Sequence, residues 1–181
     1  MRKHLLIAAA AAGLAAAAPA HAADPAQLSC VLDHLDLGAR GVIAAKAEKI
    51  MKGTSDDSDS SATGQVMTGP AASCRTQYGW SQDATTEAIS YAVATISLPI
   101  AERVVREHGI NLAKVKALYA SLPVAAHEQI LGDAPLDPGL DAKLTQGLAA
   151  AGVPTDEVVT VGRYWGFLVL VDVMRERFAK A

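Results

Sequence analysis

Apolar positions recur at helical spacing along most of the chain, and the densest run of them comes last. From Val158 to Met174 only Thr160, Arg163 and Asp172 are clearly polar. On a helix such a run points apolar side chains in nearly every direction, so it needs neighbours on all sides. As a strand it is far longer than the usual ~5–6 residues. As a membrane span it falls short of the ~20 apolar residues required, and Arg163 and Asp172 interrupt it. The run therefore predicts a buried C-terminal helix at the centre of a bundle, with Thr155 as N-cap and Asp156 and Glu157 in its first turn.

The same pattern places the other helices. Ser81 opens a long one that runs to His108, with Gly109 as its stop. Ile89, Val93, Ile96 and Ile100 give it a large aliphatic face for a core, while Ser90, Ala94, Ser97 and Ala101 give the opposite side small groups that admit a close neighbour. Pro99 inside it predicts a kink. Asp24-Pro25 opens a first helix whose stripe of Leu28, Val31, Leu32, Leu35, Ala39, Val42 and Ile43 carries it to Gly53. Asn111 caps a helix that Pro123 interrupts and that resumes from Val124 to Leu131; Asp137-Pro138 starts another, with Leu140, Leu144 and Leu148 on one side. Between the first and second long helices lies TSDDSDSSATGQVMT, residues 54–68, small and polar without helical period. It reads as a flexible loop closed by Gly69-Pro70, followed by a short helix bearing Cys74. No segment alternates with period two and no solenoid repeat recurs. The expected fold is all-α, one irregular bundle of about five to seven helices.

The first residues change the picture of where that bundle works. Met1 to His4 is a short basic start, Leu5 to Ala18 is apolar and alanine-rich, and Ala20-His21-Ala22 has the small-x-small form of a signal-peptidase site. Residues 1–22 thus read as a signal peptide and 23–181 as the helical domain, periplasmic or secreted, without an integral membrane segment once processed. No cysteine stands directly after the cut, the nearest being Cys30, which argues against a lipid anchor. The mature chain keeps 14 basic residues against 19 acidic, a formal charge of −5. Nucleic acid is excluded as a partner class, since its phosphates need a clustered basic face.

Export also bears on Cys30 and Cys74, the two cysteines of the chain. In an oxidising compartment an even pair forms a disulfide. The competing reading adds His34, one helical turn after Cys30, and makes Cys30, His34 and Cys74 a zinc or copper set; the compartment favours the disulfide, and no cofactor is assigned. Asp57, Asp59 and Ser61 sit at alternate positions as in a calcium-binding EF-hand loop, but Ala62 replaces the turn glycine and Thr68 the bidentate glutamate. Arg163 and Asp172 are candidates for ligand-orienting or buried polar contacts. The plainer alternative puts Arg163 on a polar edge with Asp156 and Thr160, and pairs Asp172 with Arg175 or with an arginine of another helix. Tyr91, Trp165 and Phe167 read as core aromatics.

No G-x-S-x-G, H-E-x-x-H, glycine-rich phosphate loop or C-x-x-C-H motif occurs. No catalytic residue is assigned. The expectation is a non-enzymatic exported binding or interaction domain for a small molecule or a protein. The alternatives are a helical enzyme with a site assembled from several helices and a metal or b-type haem carrier.

Overall fold

The computed structural model describes residues 23–131 and 135–181, so the leader assigned to residues 1–22 lies outside the described region. Eight α-helices and two short 3-10 turns make up the described residues, with no strand among them. The all-α expectation holds, with more helices than the five to seven anticipated.

The N-terminal stripe is broken into pieces. A 3-10 turn at Pro25–Gln27, capped by the Asp24 carboxylate, leads to α1 (Cys30–Asp33) and then to α2 (Leu37–Lys52). The side chains at the break explain it. Asp36 turns its carboxylate onto the Ala39 N–H at 2.7 Å and starts a new helix. Arg40 then reaches back and donates to the Leu32 and Leu35 carbonyls at 2.6 and 3.1 Å, satisfying acceptors that a continuous helix would have bonded internally. α2 ends in a Schellman motif: Gly53, at φ 72°, donates to Ile50, and Thr54 donates to Lys49.

The loop expected over residues 54–68 is instead the first half of α3 (Asp57–Tyr78). Asp56 and Asp59 form a reciprocal capping box, and Lys49 of α2 pairs with Asp59 at 2.6 Å. Thr63, Met67, Ala71 and Cys74 form a single buried line at intervals of four, four and three. That line is the helical period the segment does possess. It is thin because α3 meets the bundle along one edge and leaves its small polar residues in water. Pro70 sits within the helix and does not end the preceding segment.

α4 (Gln82–Glu107) begins at a Ser81 cap and contains Pro99 without stopping; α5 (Leu112–Ala120), α6 (Val124–Leu131) and α7 (Pro138–Ala150) follow. A second 3-10 turn, Thr155–Glu157, precedes α8 (Val158–Phe178), so Thr155 opens the turn and not the helix itself. α8 lies along α4 in the most extensive helix–helix contact of the fold. The His108 imidazole meets the Glu157 carboxylate at 2.8 Å and ties the end of α4 to the start of α8. This bond and the Thr160 hydroxyl hold Glu157 below the usual carboxylate range.

Tyr164, Val161, Val169 and Phe178 are fully enclosed, as a central C-terminal helix requires. On α4 the small residues take the deepest places: Ala88, Ala92, Ala94 and Ala101 have no exposure, whereas Ile89, Val93, Ile96 and Ile100 are only partly buried. The aliphatic face expected to be the main core surface is thus secondary, because close approach of long helices rewards small side chains. By length and composition α4 would suffice to cross a membrane; here it is the core helix, contacted by α8, α2 and α1. Two apolar clusters flank it, one toward α1–α3 and one toward α5–α8, and both include residues of α4 and α8.

Candidate functional site

Three places in the fold hold the residues singled out by the sequence. At the first, Cys30 and Cys74 are joined by a disulfide that fastens α1 to α3 across a sequence separation of 44. Cys74 is fully buried and Cys30 nearly so, while His34 is exposed beside them. The His34 Nδ1 lies 3.6 and 3.8 Å from the two sulfurs and 2.9 Å from the Cys30 carbonyl oxygen. A carbonyl only accepts, so Nδ1 carries the proton and donates to it. The three donors do come together, but the sulfurs are bonded to each other. A metal needs thiolates and an unprotonated imidazole nitrogen, and the oxidised protein presents neither at this point.

Arg163 and Asp172 stand on α8 but serve different neighbours. The half-buried Arg163 donates from Nη1 to the Met51 carbonyl at 3.0 Å, an acceptor left free in the last turn of α2. It lies so close over Gly53 that a β-carbon there would sit 2.6 Å from Nη2. Asp172 is exposed and accepts the Tyr119 hydroxyl at 2.9 Å. The arginine partner expected for Asp172 is replaced by this phenol, and Arg175 instead lies over the Tyr91 ring, 5.9 Å from its centroid. Arg163 and Asp172 therefore bond to different helices, α2 and α5.

Tyr119 is the centre of a polar and aromatic junction that sequence spacing did not reveal. The His127 ring stacks on it at 4.4 Å and 6°, and the Trp165 ring lies tilted to it at 6.2 Å. Burial first, and then the bond to Asp172, push its phenol well above the ordinary tyrosine range. It is held as a neutral donor, which suits an interhelical tie better than proton abstraction.

Trp165 in turn forms part of a pocket of about 300 Å³ between α6, α7 and α8. Its floor is Leu144, Leu148 and Trp165, all buried, and Ile130 and Leu136 form its walls. Gln129, Asp141, Thr145, Val158 and Gly162 make the rim. The Trp165 indole N–H is shut away from solvent and finds no hydrogen-bond partner among the described residues. A second cleft, of about 770 Å³, lies between α3 and α4 and is broader and more polar, with Arg75 donating to Gln82 across it at 2.8 Å. The smaller pocket is the better candidate, since three helices enclose its apolar floor. The sequence did contain the Leu144–Leu148 stripe, but not the gap left beside it.

Comparison with known protein families, curated proteins and solved structures finds no match to this chain.

Proposed function

We propose that the protein is an exported, non-enzymatic helical binding domain, held together at one end by the Cys30–Cys74 disulfide and binding a small molecule between α6, α7 and α8. The carrying observation is the pocket itself. A concave site with an apolar floor and a few polar groups at its edge is the usual form of a small-molecule site, and 300 Å³ is at the lower end of the range for one. The rim groups Gln129, Asp141 and Thr145 include no nucleophile placed against a base, which favours binding over catalysis. Export is supported by the signal-like residues 1–22 and by the disulfide, which suits an oxidising compartment.

Gly162 provides the test. It lies on the exposed rim, and an added β-carbon would meet nothing within 4 Å. Gly162→Leu should therefore raise helix propensity, by up to ~1 kcal/mol, while its side chain obstructs the pocket mouth. With 1-octanol as probe, wild-type protein should show saturable shifts of the Leu144 and Leu148 methyl resonances, and G162L should weaken binding at least tenfold with an unchanged or higher melting temperature. Absence of saturable binding to the wild type, or equal binding by G162L, refutes the assignment.

A further inference from the structure

We infer that this pocket takes a small organic cation, an ammonium group on an apolar body of on the order of ten non-hydrogen atoms. The inference rests on the binding reading above and adds the chemical class of the ligand. The size follows from the volume: about 300 Å³ against roughly 30 Å³ for each water-sized unit of matter. The apolar body follows from the floor, since Leu144, Leu148 and Trp165 are each under a tenth exposed and a charge among them would be stripped of water without compensation.

The sign of the charge follows from the rim. Asp141 is the one charged residue among the described residues that line the pocket, and it is exposed on α7 at the mouth. The surrounding charges reinforce it. Lys143 is two positions further along α7 and thus on the other side of that helix. Arg163 follows Gly162 directly but is committed to the Met51 carbonyl. Asp137 precedes α7, and Asp156 and Glu157 precede α8, so the turns on both sides of the mouth are acidic; Glu157 is already engaged by His108. The starts of α7 and α8 carry partial positive charge that would favour an anion. On α7 that end is already answered, because the Asp137 carboxylate accepts the Gly139 and Leu140 N–H groups at 2.9 and 3.3 Å. An anionic amphiphile would find no side-chain cation among the described rim residues and one carboxylate opposing it. An alkylammonium would seat its chain on the leucines and leave its charge beside Asp141.

A matched series of one chain length tests this: octylamine, 1-octanol and octanoate at neutral pH and low salt, titrated into wild type, Asp141→Asn and Gly162→Leu. The Leu144 and Leu148 methyl resonances report occupancy. Octylamine should bind about three- to fivefold more tightly than octanol, the size expected of an exposed ion pair, and at least tenfold more tightly than octanoate. Added salt should shrink the advantage of the amine, and within D141N octylamine and octanol should bind equally. Octanoate binding as tightly as octylamine, or an amine preference that survives D141N, overturns the inference and leaves the pocket standing. If none of the three binds, or if G162L matches wild type for all of them, the pocket reading fails and takes this inference with it.

Discussion

Replacing Gly53 by alanine puts a measurable load on the contact between α2 and α8. Two costs arise from the geometry. Gly53 has φ 72°, a left-handed conformation that costs a residue with a β-carbon roughly 1–2 kcal/mol. The new methyl would also fall 2.6 Å from Nη2 of Arg163, 3.1 Å from Cζ and 3.2 Å from Nη1. A guanidinium at the end of a long side chain can swing away, but it then abandons the Met51 carbonyl, 3.0 Å from Nη1. A hydrogen bond from a charged donor is worth ~1.5–3 kcal/mol when fully formed; the half-exposed setting of Arg163 reduces this to about 1 kcal/mol. Gly53→Ala should thus destabilise the fold by about 2–3 kcal/mol in urea unfolding followed by circular dichroism. Arg163→Met keeps an apolar stem and should cost about 1 kcal/mol alone. When Arg163→Met is already in place only the backbone cost of alanine remains, so the double variant should lose about 1 kcal/mol less than the sum of the singles. Strict additivity would show that Arg163 does not cap α2 as described, and a neutral Gly53→Ala would refute the backbone cost as well.

Two further outcomes follow from other parts of the fold. Replacing both Cys30 and Cys74 by alanine should lower stability by something within 2–5 kcal/mol, against about 4 kcal/mol from loop entropy for this separation, and keep helical content under mild conditions; two free thiols in denatured, unreduced protein, measured before any substitution, would contradict the bond itself. At high pH, Tyr119 and Tyr164 should resist ionisation, because burial above all raises both phenols. A raised folded-state value means that their contribution to stability is complete below the ordinary tyrosine value of about 10 and is lost as pH rises beyond it. Difference titrations of phenolate absorbance against Y119F and Y164F should show each ionising only as helical signal disappears, and reversible ionisation near pH 10 in folded protein would refute this.

Much of the helical plan was legible because caps and stripes coincide. Ser81, Asn111 and Asp137 each stand where they cap, and α8 declares its burial by the near absence of polar residues. Legibility failed where one thin line of contact supports a helix. α3 buries Thr63, Met67, Ala71 and Cys74, a line of two small residues, one sulfur-bearing chain and one cysteine that composition alone masks behind aspartates and serines. The break at Asp36 was hidden for a different reason: it depends on Arg40 turning back to carbonyls of the preceding helix, which periodicity does not encode. The disulfide could be read from parity and context. The pocket could not, since its lining comes from residues near 130, 144 and 165, and concavity is a property of how helices separate. Arg163 and Asp172 were correctly noticed as interruptions of an apolar run, but a charge on a helix says nothing of which neighbour it will meet.

The position of Phe178 gives the fold an order in time. Its side chain is fully enclosed in the cluster that contains Leu28, Cys30 and Cys74, and it meets the Trp80 ring edge-on with centroids 5.1 Å apart. Phe178 follows Cys74 by ~100 positions, so at ribosomal rates the two cysteines exist for roughly 5–20 seconds before the residue that seals their surroundings is made. Through that interval the first third of the chain lacks its final partner, and α4 lacks the helix that lies along it. Neither cluster can be completed before α8 has been made, since both draw residues from it.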